Sequence, residues 1–352
     1  MKSKYSNILL IVVSLALSLF VLEIGFRMAK GRLINSGAYL FAQPGDESWK
    51  WWEILRPSDS KELSYEHIPN SEARVFDSVI KINSLGFRDN EYSQVKEAGT
   101  YRIIGVGDSI MFGWRVPLDD IYLKILERGL NRAEKTEVIN CSIPGYNTRQ
   151  EYALTEKLAA GLSPDMVIMG FFINDVYDPT YLLWKGKYLV SPKIVEHYEN
   201  NKNILKHIHR FLINHLKIYD HMVSRIKKKT AERISDNIVL EKENWLKTEE
   251  LILKTNNLLK ERGIRFLVFH VPSQQEISDC KISNPPNEVL SNLCALNNIE
   301  YCTAFYKMSK GSDKSSLFIR NDGHLTKKGH IIAAEVLKDY LDHNVKTNRG
   351  HL

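Results

Sequence analysis

The stretch Ile103–Trp114, IIGVGDSIMFGW, decides how the chain is read. Ile103–Gly107 is a short apolar run ending in glycine, the signature of a buried strand running into a turn. Gly107-Asp108 would serve as that turn. A serine placed directly after it is also positioned to be a nucleophile, its hydroxyl facing a cleft at the sheet edge.

The pattern repeats downstream. EVINCSI, DMVIMGFF, IRFLVFHV (Ile264–Val271) and IEYCTAF (Ile299–Phe305) are further apolar runs. Helical stretches alternate with them, expected near Asp119–Ala133, near Arg149–Ala160, ahead of the last two runs and from Thr326 to Leu341. Apolar strands alternating with helices argue for a parallel sheet covered on both faces. Five such units make a three-layer α/β/α domain over 100–345. Ligands in open parallel sheets bind outside the carboxyl ends of the strands.

A serine nucleophile needs a base, and the base needs an orienting acid. LFIRNDGHLTKKGH places His324 just before the last helix, with Asp322 two residues earlier. Asp322 and Thr326 also suit a helix start, so capping is the plainer reading of that segment alone. An oxyanion needs donors. The Ser109 N–H is one; Gly145, in NCSIPGYNT, offers an unshielded N–H, and Asn174, in FFINDVYD, offers a side-chain amide. Gly145 reads equally as a turn after Pro144, and Asn174-Asp175 as a helix cap. Asp108 is a supporting residue beside the serine. Each of these groups follows a different strand of one parallel sheet, so their loops converge on one edge.

These four blocks resemble the SGNH (GDSL) hydrolase superfamily, whose blocks carry serine, glycine, asparagine and histidine in this order. INSLGFRDNEY, Ile82–Tyr92, resembles the segment found before the serine in membrane-anchored bacterial members. The resemblance implies a flavodoxin-like fold and ester hydrolysis or acyl transfer without a metal or other cofactor. By position it implies Ser109 as nucleophile, His324 as general base, Asp322 as its acid, and Gly145 and Asn174 as oxyanion donors. Two departures stand out. Phe172 occupies the glycine position of the third block, Gly170 lying two residues early. The last block reads Asp-x-His rather than Asp-x-x-His, a spacing similar to that of an extracytoplasmic O-acetyltransferase branch acting on polysaccharides.

The rest of the sequence sets the context. The chain has 352 residues, 43% of them apolar, which supports a sizeable core. The net charge of +6 is too small and too dispersed for a nucleic-acid partner. From Tyr5 to Leu22 no charge occurs, and about 20 mostly apolar residues suffice to span a bilayer. An uncleaved single-pass anchor over 1–32 is expected, in preference to a signal peptide with a small-residue cleavage site. The catalytic domain would then lie outside the cytoplasm, although flanking charge alone does not orient it. Residues 33–99 read as a juxtamembrane region with two short strands in ARVFDSVIKINSLGFRD, and Ser48–Leu55 is Trp-rich. Between Asp178 and about Ser235 no good strand is apparent, and NILKHIHRFLINHLKIYDHMVSRIKKK has helical period with one basic face. His207, His209, His215 and His221 do not share a face at ligand spacing. Of the four cysteines, a Cys280–Cys294 bridge is one reading and buried free thiols the plainer one. The expectation is a membrane-anchored serine esterase or O-acyltransferase acting on acyl groups, above all acetyl, of a glycan or lipid. Acyl transfer would allow a membrane partner. The alternative is a catalytically silent glycan-binding or assembly protein on the same fold.

Overall fold

The computed structural model describes residues 53–75, 78–131, 135–176, 181–184, 188–190, 237–239, 242–278, 281–283, 285–311, 313–320 and 322–348, with four positions near the N-terminus. The apolar run Tyr5–Leu22 apart from Ser14, Ser18 and Leu22, the tryptophans before Glu53 and the basic helical stretch 204–229 lie outside the described residues. Among the described residues no helix is long and apolar enough to cross a membrane.

The centre is a five-stranded, wholly parallel sheet of β1 (Tyr101–Gly107), β2 (Thr136–Asn140), β3 (Met166–Phe171), β4 (Arg265–His270) and β5 (Glu300–Thr303). Its order is β5-β4-β3-β1-β2, the flavodoxin-like doubly wound order. The strands are continuous apolar runs because both of their faces are covered. Alternate side chains divide between two cores. Ile104, Val106, Val167 and Met169 enter one core, with α3 (Thr148–Gly161), α4 (Lys242–Glu261) and α5 (Pro286–Asn297). Ile103, Met166 and Ile168 enter the other, with α2 (Tyr122–Leu130) and α6 (Lys327–Asn348). In α2, Leu123 and Leu126 face the sheet; in α6, Ala333, Leu337 and Leu341 do. The strand order reverses between β1 and β3, which places a binding crevice at their carboxyl ends.

The segment before β1 is packed on this domain. Leu55–Pro57 pairs antiparallel with Tyr65–His67, and Glu72–Val75 with Ser78–Lys81. Ile54, Leu63, Tyr65, Val75 and Ile80 are buried in the same core as α3 and α4. The Tyr65 hydroxyl donates to Pro144 O at 2.8 Å, and the Tyr146 hydroxyl donates back to Tyr65 O.

One expectation is corrected, a second small pairing is added, and the plainer reading of the cysteines holds for those described. Leu182–Trp184 and Tyr188–Val190 form an antiparallel pair where no strand was expected. Strands of three residues are too short to show a period in YLLWKGKYLV. Asn237–Val239 runs parallel to Lys281–Ser283, a second small pairing that the sequence did not announce. Cys294 is a buried free thiol, as are Cys141 and Cys302, so Cys294 forms no bridge; Cys280 lies outside the described residues. Cys294 sits on the core-facing side of α5, where an apolar thiol packs well.

Candidate active site

β1 ends at Gly107, and the chain turns at once into α1 (Ser109–Phe112). Asp108 is the N-cap, and its Oδ1 accepts the Ile110 N–H at 2.8 Å. The capped turn fixes Ser109 as the first helical residue, at the crevice between β1 and β3. At the other end Gly113 adopts φ +79, its N–H donates to Ile110 O, and the Trp114 N–H closes back on Ser109 O at 3.1 Å. This is a Schellman-type stop, which requires a left-handed residue. A Cβ at Gly113 would also overlap the Ile121 Cγ2 methyl.

His324 comes from the loop that enters α6. Ile319 N–H donates to His324 O at 2.7 Å, and the Asp322 and Gly323 N–H groups both donate to Ile319 O. Gly323 supplies φ +87 for the reversal. An isolated Phe318–Leu325 bridge closes the loop. The tight turn throws Asp322 and His324 to the same side. Ser109 and His324 are 215 positions apart in sequence, yet the Ser109 Oγ lies 2.8 Å from His324 Nε2. His324 Nδ1–H donates to Asp322 Oδ1, which fixes the tautomer that leaves Nε2 free to accept the serine proton. Ser109 and His324 are 4% and 7% exposed, so the pair is recessed and shielded from bulk water.

Asp322 is held on its far side as well. Arg115 Nη1 donates to Asp322 Oδ2 at 3.1 Å. Burial alone would push the Asp322 carboxyl up. The hydrogen bond and charge of His324, then those of Arg115, outweigh it and hold the group below its ordinary value. Trp114 lies against the His324 ring at 5.9 Å between centroids, tilted by 35°.

The candidate oxyanion donors flank the serine from the neighbouring strands. Ile143–Tyr146 is a β-turn with Pro144 second and Gly145, at φ +81, third, closed by Tyr146 N–H to Ile143 O at 3.2 Å. Proline and glycine in those positions are what a type II turn demands. Asn174 lies in a 3₁₀ turn (Ile173–Val176) after β3. Its Nδ2 donates to Asp108 Oδ2 at 2.9 Å. An amide nitrogen has two hydrogens, so this bond orients Asn174 while leaving one donor. Asp108 therefore braces two parts of the site, the α1 start and the Asn174 amide.

Beneath Asn174 lie two more carboxyls. Asp175 Oδ2 accepts the Phe172 N–H at 2.7 Å, while Asp175 Oδ1 and both Glu151 oxygens are buried without a hydrogen-bond partner. Burial, then the neighbouring carboxyls, push both groups well above the ordinary carboxylate range. The protonated forms are thus favoured, and this acidic pocket adds less negative charge near the serine than its composition suggests. Phe172, at the position where the resembled block has glycine, packs against both cores.

The structure thus brings together Ser109, His324, Asp322, Asp108 and Asn174 through direct contacts and puts Gly145 at the adjoining strand end. Sequence reasoning missed Arg115 and Trp114. Arg115 meets its partner across 207 positions, and no local pattern marks it. Among the described residues no cluster of His, Cys, Asp or Glu could hold a metal ion.

No protein-family model matches the chain, and no curated protein matches it. Solved structures do resemble it in part. A putative acylhydrolase from Bacteroides fragilis shares 13% identity, covering 69% of this chain and 87% of that one, with TM-score 0.39. The psychrotrophic esterase EstA from Pseudoalteromonas sp. shares 10%, covering 70% and 98%, with TM-score 0.42. A two-domain esterase, CEX, active on acetylated mannans, shares 14%, covering 70% and 50%, with TM-score 0.41. Likenesses this distant carry no weight on what this chain does, and the chemistry has to be read from the site itself.

Proposed function

We propose that the protein is a serine-dependent ester hydrolase or acyl transferase. The observation that carries this reading is the Ser109 Oγ–His324 Nε2 contact at 2.8 Å, with His324 held on its other nitrogen by Asp322. Ser109 Oγ attacks the ester carbonyl while His324 takes its proton. The tetrahedral oxyanion is met by the Ser109 and Gly145 N–H groups and the free hydrogen of the Asn174 amide. Collapse expels the alcohol, which receives the proton from His324, and leaves an acyl-serine. Water then resolves the acyl-serine in hydrolysis, and an acceptor hydroxyl does so in transfer. Asp322 stays ionised and stabilises the imidazolium that forms at each step.

The acyl group is proposed to be small, acetyl above all, on a glycan or lipid. The shortened Asp-x-His spacing favours transfer to a polysaccharide hydroxyl. The apolar run Tyr5–Leu22 would tether the domain to a membrane, on its outer side. The competing reading, a glycan-binding protein on the same fold, has no need of an aligned serine, histidine and aspartate.

The test uses the full chain in detergent. A fluorophosphonate probe should label the protein and an aryl acetate should be turned over, both being lost in Ser109→Ala. The loss expected in kcat is about 10⁴-fold or more. A folded protein that takes up no probe would sink the enzymatic reading and leave the binding protein.

A further inference from the structure

The serine turn is braced by the segment Gly86-Phe87-Arg88-Asp89, which lies before the sheet and has no place in the chemistry above. Arg88 is buried and spends its guanidinium on three carbonyls of one loop. Nη1 donates to Phe112 O at 2.8 Å and to Gly113 O at 2.7 Å, and Nη2 donates to Val116 O at 2.6 Å. Its Cζ also sits 4.9 Å from the Phe112 ring centroid. Asp89 anchors the same segment from beneath. It pairs with the buried Lys124 at 2.7 Å and accepts the Asn140 N–H at 2.7 Å. The loop so clamped, 112–116, carries Arg115. That residue adopts φ +62, a left-handed conformation that a non-glycine side chain rarely takes. The conformation directs the guanidinium to Asp322 Oδ2 at 3.1 Å.

We propose that Arg115 is a positioning residue for the Asp322–His324 pair, presented by a turn that Arg88 sets. The proposal rests on the serine mechanism above. Asp322 Oδ1 accepts from the His324 ring and, at 3.4 Å, from the His324 backbone N–H, and bonds to a single oxygen leave the carboxylate plane free to twist about it. One oxygen is held by His324; Arg115 occupies the other and locks the carboxylate plane. The left-handed backbone is maintained although arginine gains nothing from it locally, since the three Arg88 bonds fix the surrounding carbonyls. The groups facing Asp322 are His324 from its own loop and Arg115 from the loop after α1, both of which favour its ionised form.

The deciding variant is Arg115→Gly. Glycine accepts φ +62 without strain, which offsets part of the lost ion pair, so the variant should still fold and melt cooperatively. Removing the guanidinium should slow fluorophosphonate labelling and kcat by about 10–100-fold, the scale of a small misplacement of a catalytic group. The acid limb of kcat/KM should move to higher pH, because Asp322 loses the Arg115 charge that helps keep it ionised. Millimolar guanidinium should restore part of the rate, and Arg115→Lys should fall between. A second readout does not depend on turnover: the far-downfield proton shared by His324 Nδ1 and Asp322 in the proton NMR spectrum. It should shift or broaden in Arg115→Gly. Wild-type rate, pH limb and resonance in that variant would overturn the proposal. If the wild-type chain takes up no probe, the mechanism fails, and the resonance alone decides whether Arg115 holds the pair.

Discussion

Glu151 is a single residue in a position that costs the protein stability. Both of its oxygens are buried without partners, and burial and then Asp108 hold its pKa well above the ordinary value. The sign follows directly. A carboxyl whose folded pKa is raised keeps its proton in the native state after the unfolded chain has released it. Stability is therefore fully present below about pH 4.5 and declines as pH rises toward the folded pKa. The decline is about 1.4 kcal/mol for each pH unit. Glu151→Gln has no proton to lose, so it should be more stable than the wild type at pH 8, with the gap closing by pH 4. Urea melts at both pH values measure this; a gap independent of pH would mean that Glu151 finds a counter-charge in solution. Asp322 is the reverse case. Its pKa is held down, so its contribution is present at neutral pH and is lost as pH falls below the carboxylate range. The two carboxyls are thus shifted in opposite directions, Glu151 by burial without a partner and Asp322 by the bonds and charge of His324 and Arg115.

The elements show what a sequence reveals and what it hides. The five strands were legible because each is a continuous apolar run closed by glycine or a polar turn. Ser109 and Asn174 were legible because they stand where β1 and β3 end, and Asp322 with His324 because they stand where α6 begins. Position along a parallel sheet is thus readable without contacts. The pair Leu182–Trp184 and Tyr188–Val190 was hidden because three residues carry no period. Arg115 was hidden because its role lies in a contact across the whole domain, and Arg88 because its partners are backbone carbonyls, which leave no mark in sequence. α1 gives the prediction at this scale. Only four residues long, it depends on its two ends rather than on its interior. Gly113→Ala would force alanine into a left-handed conformation, at about 1–2 kcal/mol. It would also drive a methyl into Ile121, adding about 1–3 kcal/mol. A loss of about 2–5 kcal/mol in urea unfolding is expected, and the same substitution made in an Ile121→Ala background, compared with Ile121→Ala alone, should lose the steric part of that cost but not the backbone part. A cost that vanished in that background would show that the left-handed cap is dispensable.

At the scale of the whole molecule, the segment before β1 decides what counts as the domain. The sequence reads 33–99 as a juxtamembrane region with two short strands; the packing shows two hairpins that close one of the two cores. Tyr65 and Tyr146 meet edge to face at 5.2 Å, and each hydroxyl reaches a backbone carbonyl on the other's side. Gln150 Nε2 donates to Leu63 O at 2.7 Å, tying α3 to the first hairpin. Arg88 and Asp89 follow those hairpins and reach α1, α2 and β2. Cutting the chain at Thr100 would leave the Phe112 carbonyl, Lys124 and the apolar side of α3 uncovered together. Breaking a buried ion pair such as Asp89–Lys124 from one side costs about 3–5 kcal/mol by itself. Most small domains have only about 5–15 kcal/mol in total. A fragment of residues 100–352 should therefore be insoluble or molten, whereas one starting at residue 33 should melt cooperatively. Circular dichroism melts of the two, beside probe labelling, test this. If the shorter fragment melted cooperatively and still reacted, the hairpins would be an accessory layer and Arg88 could not be what holds the serine turn.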